Sequence, residues 1–365
     1  MGQLVSFKGM RTTGILVVVA VIFVVGIVVY KNARQTASPT PRPPVTTSAV
    51  PAAKPPSPPA PPVVEKPAEL GKTVFDAANP ATPEPVPAET LAQQLTRGKT
   101  LVEEARRAKA AGDKATMIAL LEQAMQEAPN SPDVQKELLE IVPLYLADNK
   151  EWEARNALSI AVQRDGLTPK ERKELVGKLD KLNEELIFSK KPSKDSILYT
   201  VKPGDTLARI ARAHKIGEGL IRRINGLKSD LIHAGRKFKI VPGPYDAVVD
   251  KSEFRLTIYL NGRFIREYPI GLGKDGGTPV GSFVVSNKLR EPTWISPEGK
   301  AVPFPHNPLG TRWLTFSGEY GIHGTWEPES IGKEMSEGCV RMLNADVEEV
   351  FEFLVERDSK IIVRP

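Results

Sequence analysis

Between Pro39 and Pro87 the chain is punctuated by proline, most densely in PPSPPAPP at residues 55–62. Proline fixes φ and donates no backbone hydrogen bond, so such a run joins neither a helix nor a sheet ladder and favours the extended polyproline II form. The 365 residues therefore cannot fold as one globule. Residues 36–90 are expected to be a disordered Pro/Ala-rich spacer with independent units on either side. On its N-terminal side, Thr12 to Tyr30 carries no charge for 19 residues, with Lys8 and Arg11 before it and Lys31 and Arg34 after it. That is about the length of a bilayer-spanning helix. The expectation is a cytoplasmic tip and transmembrane anchor over 1–35, with all later units outside the cytoplasmic membrane. A cleaved export signal is the alternative.

From about Leu91 to Phe188 apolar residues recur at helical spacing. Met117, Leu120, Leu121, Ala124 and Met125 form one stripe, which ends in APNSPD, and Val134, Leu138, Leu139 and Val142 form the next. AGDKATMIALLEQA (from Ala111) echoes ADNKEWEARNALSIA (from Ala147) at a 36- to 37-residue offset, near the period of tetratricopeptide-like hairpins. Residues 91–190 are thus expected to be a helical, TPR-like region serving as a spacer or a contact surface for a protein partner. The net charge of +6 is spread along the chain without a basic block, which argues against nucleic acid.

Residues 197–243 form a shorter unit. LYTVKPGDTL gives a strand followed by Asp205 or Thr206 as a helix cap, Leu207, Ile210 and Ala211 make an apolar stripe, a second helix covers Leu220 to Ile224, and Lys237 to Val241 closes as a strand. YTVKPGDTL, Ile210-Ala211, Ile224-Asn225 and IHAGRKFKIVP resemble the LysM family. The resemblance implies a strand-helix-helix-strand α+β fold and binding to N-acetylglucosamine-containing glycan, in bacteria the peptidoglycan strand.

Residues 244–365 read as mainly β. FRLTIYLNGRFIREYPI alternates about Asn261-Gly262, a dipeptide suited to a type I′ hairpin turn. Gly281 to Ser286 is another strand, and Asn344 can cap a helix carrying Val347, Val350, Phe351 and Leu354. GLGKDGGT at Gly271 lacks the spacing of a phosphate loop and reads as a glycine-rich turn. The four histidines have no close-spaced ligand pattern, so no metal is expected.

The chain's single cysteine, Cys339 in SEGCVRM, follows His323 in YGIHGTW by 16 residues. An imidazole can take a thiol's proton and pass it to a leaving amine. Gly324 and Gly338 would admit close backbone approach and leave amides to hold an oxyanion. Arg341 would share a strand face with Cys339 and could hold a carboxylate or carbonyl. A structural cysteine and a core histidine are the alternative.

HGT followed by SxGCVRM, with VVDKSEFRLTIYLNGRFIREYPIGLG, TPVGSF and NPLG in order before it, resembles the YkuD-type L,D-transpeptidase family. The resemblance implies Cys339 as nucleophile, His323 as catalytic histidine oriented by a backbone carbonyl, and Ser336, Gly338, Arg341, Gly324 and Thr325 in loop shaping, oxyanion and substrate contacts. It implies no cofactor, capture by carbapenems, and formation of 3-3 crosslinks between peptidoglycan stem peptides. L,D-carboxypeptidase action, D-amino-acid exchange and lipoprotein anchoring use the same chemistry; a non-catalytic peptidoglycan-binding scaffold is the reading from another class. Position 337 is Glu where many members have His, an expected perturbation of the thiol.

Overall fold

A computed structural model describes residues 88–365 of the chain. The expected membrane helix and most of the spacer lie outside these residues. Among the described residues no helix is long and apolar enough to cross a membrane. The longest, α1 (Ala88–Ala110), has 23 residues but carries Arg97, Lys99, Glu103, Glu104, Arg106 and Arg107. The transmembrane helix, the membrane contact and the single-pass localisation expected from the sequence are corrected to this extent: the described residues supply no span for them.

The helical region continues through α2 (Lys114–Glu127), α3 (Pro132–Glu137), α4 (Val142–Ala147), α5 (Glu151–Ala161) and α6 (Pro169–Leu186). Asp113 caps α2 by accepting the Thr116 N–H, and Thr168 with Glu171 forms a capping box on α6. Met117, Leu121 and Ala124 are buried, with Leu120 and Met125 partly so, as their spacing requires. The second stripe is broken by a short 3₁₀ turn at Leu138–Glu140 before the helix restarts at Val142, with Pro143 in its first turn, where the missing N–H costs nothing.

The next unit is β1 (Ile197–Thr200), α7 (Leu207–Ala213), α8 (Glu218–Asn225) and β2 (Lys237–Ile240), with β1 and β2 antiparallel. Thr206 caps α7 through the Arg209 N–H, while Asp205 instead accepts from Lys202 N–H and Tyr199 O–H.

The C-terminal domain contains a five-stranded sheet in the order β5-β4-β3-β15-β7: β3 (Tyr245–Asp250), β4 (Arg255–Leu260), β5 (Arg263–Pro269), β7 (Gly281–Val284) and β15 (Lys360–Arg364). Asn261 and Gly262 both take positive φ, as a type I′ turn requires. A four-stranded sheet runs β14-β12-β11-β8: β8 (Asn287–Arg290), β11 (Arg312–Ser317), β12 (Tyr320–Thr325) and β14 (Val340–Leu343). Two small pairs are β6 (Leu272–Gly273) with β13 (Glu334–Ser336), and β9 (Trp294–Ile295) with β10 (Ala301–Val302). Ala247, Val249, Leu256 and Ile258 from the first sheet and Leu314, Ile322, Val340 and Met342 from the second share one core with Val347 and Val350 of α9 (Asn344–Phe353). Asn344 does not cap α9. Its amide instead accepts the Thr311 N–H at 3.1 Å and donates to the Thr325 carbonyl at 3.0 Å.

Candidate active site

Strands β12 and β14 are parallel neighbours, with His323 opposite Arg341, and β11 lies on the other side with Trp313 opposite His323. Side chains alternate across a strand. Leu314, Ile322, Val340 and Met342 fill the core, so Trp313, His323 and Arg341 share the outer face, and Cys339, two residues before Arg341, falls on that face too. The Gly321 N–H lies by the Cys339 sulfur, two residues before His323 along β12.

His323 is 4% exposed. Its Nδ1 lies 2.6 Å from the Gly324 carbonyl oxygen, which makes Nδ1 the protonated nitrogen and leaves Nε2 as the acceptor. Trp313 lies along the ring at 5.6 Å, 21° from parallel, and its indole N–H is held by Thr315 at 2.7 Å. Burial lowers the imidazole pKa to about 4, against the partial support of carbonyls from Gly324 and Leu309, and nearby Arg341 lowers it further. Cys339 is half-buried, and burial raises its thiol pKa; the Gly321 N–H and Arg341 pull the other way without prevailing. Burial thus pushes the thiol and the imidazole each toward its neutral form.

The segment before the cysteine is shaped by Ser336, whose buried hydroxyl donates to the Cys339 carbonyl at 2.6 Å and accepts the Gly338 N–H at 3.2 Å. The Gly338 amide is thus engaged, contrary to the expectation of a free donor there. Gly338 sits at φ 131°, and a Cβ on it would lie 2.2 Å from the Tyr320 ring. Its Cα would also lie 2.6 Å from a Cβ on Gly273, so the glycine-rich turn at 271–278 is pressed against the cysteine segment. Gly271 and Arg341 exchange two backbone hydrogen bonds of 2.9 Å there. Gly324 faces the Asn344 amide, where a Cβ would come within 2.1 Å, and therefore serves packing. Thr325 accepts the Glu327 N–H at 3.0 Å, and Glu327 pairs with Arg341 at 2.9 Å. Glu337 points outward, its side chain 94% exposed and 3.5 Å from Lys274. His306 is exposed on its loop. Trp313, Tyr320, Glu327 and Gly273 were not singled out from the sequence.

The fold and this outer face define a two-sheet β domain carrying an imidazole on one strand and a thiol just before the neighbouring strand, behind a compact strand-helix-helix-strand module. The family model for the YkuD L,D-transpeptidase catalytic domain matches residues 244–363, and that for the LysM domain matches 199–241. The chain is 35% identical over 179 residues to the L,D-transpeptidase YkuD of Bacillus licheniformis, covering 46% of this chain and 99% of that one. It is 37% identical over 163 residues to its namesake in Bacillus subtilis, covering 42% and 91%. An NMR structure of the catalytic domain of an E. faecium L,D-transpeptidase is 25% identical, covering 33% of this chain and 95% of that one, with a TM-score of 0.28. This chain belongs to the YkuD family of L,D-transpeptidases, with a LysM peptidoglycan-binding module ahead of the catalytic domain. A peptidoglycan-modifying enzyme of the L,D-transpeptidase type follows from that membership.

Proposed function

We propose that the protein forms 3-3 crosslinks between peptidoglycan stem peptides through an acyl-enzyme on Cys339, with residues 197–243 holding glycan and 244–365 performing the chemistry. The observation that carries this reading is the buried His323, its Nδ1 held by the Gly324 carbonyl and its strand paired with the one that follows Cys339. A neutral imidazole at physiological pH is a base able to accept the thiol proton.

In the first step the Cys339 sulfur attacks the carbonyl of the third stem residue and its proton passes to His323. The C–S bond forms, the bond to the terminal D-alanine nitrogen breaks, and the imidazolium returns the proton to that leaving amine. In the second step an amine of a neighbouring stem attacks the thioester, a C–N bond forms, the C–S bond breaks, and a proton from the amine returns to sulfur by way of His323. The Cys339 N–H is the candidate oxyanion donor, since Ser336 occupies that of Gly338. Arg341, aligned by Glu327, is positioned for a carbonyl or carboxylate of the stem.

Purified protein incubated with disaccharide-tetrapeptide is expected to yield a crosslinked dimer, and incubation with a carbapenem a covalent mass adduct. Both should vanish in Cys339→Ala. Release of D-alanine without dimer would assign the acceptor to water and sink the crosslinking claim, while wall binding with neither product nor adduct would leave a scaffold.

A further inference from the structure

We infer that the LysM module and the catalytic domain act as one rigid unit, so that glycan held by the first presents its stem peptides to the second at a fixed offset. The inference rests on the acyl-transfer reading above for what happens to the stem on arrival. Its basis is the contact between the modules. Domains joined by a linker normally move relative to each other unless a substantial apolar interface joins them. Here Leu220, Ile221, Ile224 and Ile240 of the module belong to the same buried cluster as Tyr245, Phe353 and Leu354 of the catalytic domain.

Backbone meets backbone across this seam. Gly217 donates its N–H to the Glu352 carbonyl at 2.8 Å, and Gly219 donates to the Glu352 carboxylate at 2.7 Å. A Cβ on Gly217 would lie 2.7 Å from the Glu352 Cα. Lys215 pairs with Asp358 at 2.6 Å. On the module's other side the buried Lys239 ammonium donates to the Leu186 and Ser189 carbonyls at 2.6 and 3.0 Å, fixing β2 to the end of α6. The rim around Leu231, itself 70% exposed, is left free of these contacts.

The two arrangements differ in consequence. A flexible tether raises the local concentration of every stem within reach, so turnover rises smoothly with glycan length. A rigid pair gains only when the strand is long enough to place a stem at the offset, so turnover rises in a step.

Spin labels at Ser229→Cys and Glu319→Cys, in a Cys339→Ala background, are expected to give one narrow distance distribution by pulsed electron resonance. On a ladder of glycan oligomers of defined length, the wild-type chain is expected to show a threshold of roughly tenfold or more in turnover. Gly219→Leu and Lys239→Met combined with Gly/Ser inserts of about twelve residues between Ser196 and Ile197 and between Pro242 and Gly243, which together free the module from α6 and from the catalytic domain, should erase the threshold while leaving disaccharide-tetrapeptide turnover within about twofold. A broad distance distribution, a smooth rise with length in the wild type, or a threshold that survives the insert overturns the inference. Absence of turnover on the small fragment would count instead against the acyl-transfer reading, and the distance measurement would still decide the coupling.

Discussion

Glu337 was expected to disturb Cys339, yet it turns outward to Lys274, and the rise in the thiol pKa comes from burial. Glu337→His is therefore expected to change kcat/KM by less than about threefold, since exposed rim charges interact weakly. Gly338 is the less tolerant neighbour. Gly338→Ala should lower turnover about 10²-fold, the cost of an ångström-scale displacement at the proposed nucleophile, and adding Tyr320→Ala should not restore it, because φ 131° remains adverse to any side chain. Burial, which favours the neutral form of both the thiol and the imidazole, sets the pH behaviour. Iodoacetamide should alkylate Cys339 slowly at pH 7 and faster through the alkaline range, whereas an ion-paired thiolate would react fast from mildly acidic pH. His323 takes up a proton near 6.5 when unfolded but only near 4 in the fold. Between those values the unfolded chain binds more protons, so stability falls as pH drops from about 6.5 to 4, by on the order of 3 kcal/mol. His323→Gln should flatten that part of a denaturation-versus-pH curve.

At the scale of elements, the helical region is bolted to β5, the edge strand of the five-stranded sheet. A register shift opposite Ile258 and Tyr259 leaves β5 groups outside the ladder, and helical side chains satisfy them. Ser159 accepts the Phe264 N–H at 2.6 Å, and Asn183 donates to the Phe264 and Ile265 carbonyls at 3.3 and 2.8 Å. The buried Arg155 donates to Asn183 and pairs with Asp195. Phe264 itself is fully buried in the helical core. Phe264→Ala should cost about 3–5 kcal/mol in chemical denaturation, and a loss below about 1 kcal/mol would contradict the docking. None of this was legible in the sequence. Phe264 alternates correctly within FRLTIYLNGRFIREYPI, but alternation does not say which core receives a side chain, and its partners lie about a hundred residues away. The hairpin turn, the Thr206 cap and the stripe through Met117 were legible because each depends on neighbours a few residues apart. The same divide runs through the site. His323 and Cys339 carry recognisable local patterns, whereas Trp313 and Glu327 acquire their places only when β11, β12 and β14 come together. The Asn344 cap failed for the same reason, since its amide found longer-range partners.

At the scale of the whole molecule, the helical region, the LysM module and the β domain are held by shared cores rather than strung as beads. Excised residues 244–365 would expose Phe264 and strand the β5 groups that Ser159 and Asn183 satisfy. That fragment is expected to aggregate or exchange its β5 amides rapidly, while in the longer chain hydrogen exchange of β5 and of α5 should reach the same protection limit. Equal protection of β5 with and without the helices would refute the shared fold. The covered β5 margin also sets the valence of the molecule. A sheet with two open margins can add strands in both directions and grow into a fibre. With one margin closed by α5 and α6, association through this sheet stops at a pair, so the crowding of many copies along a polymeric substrate cannot propagate into filaments by that route.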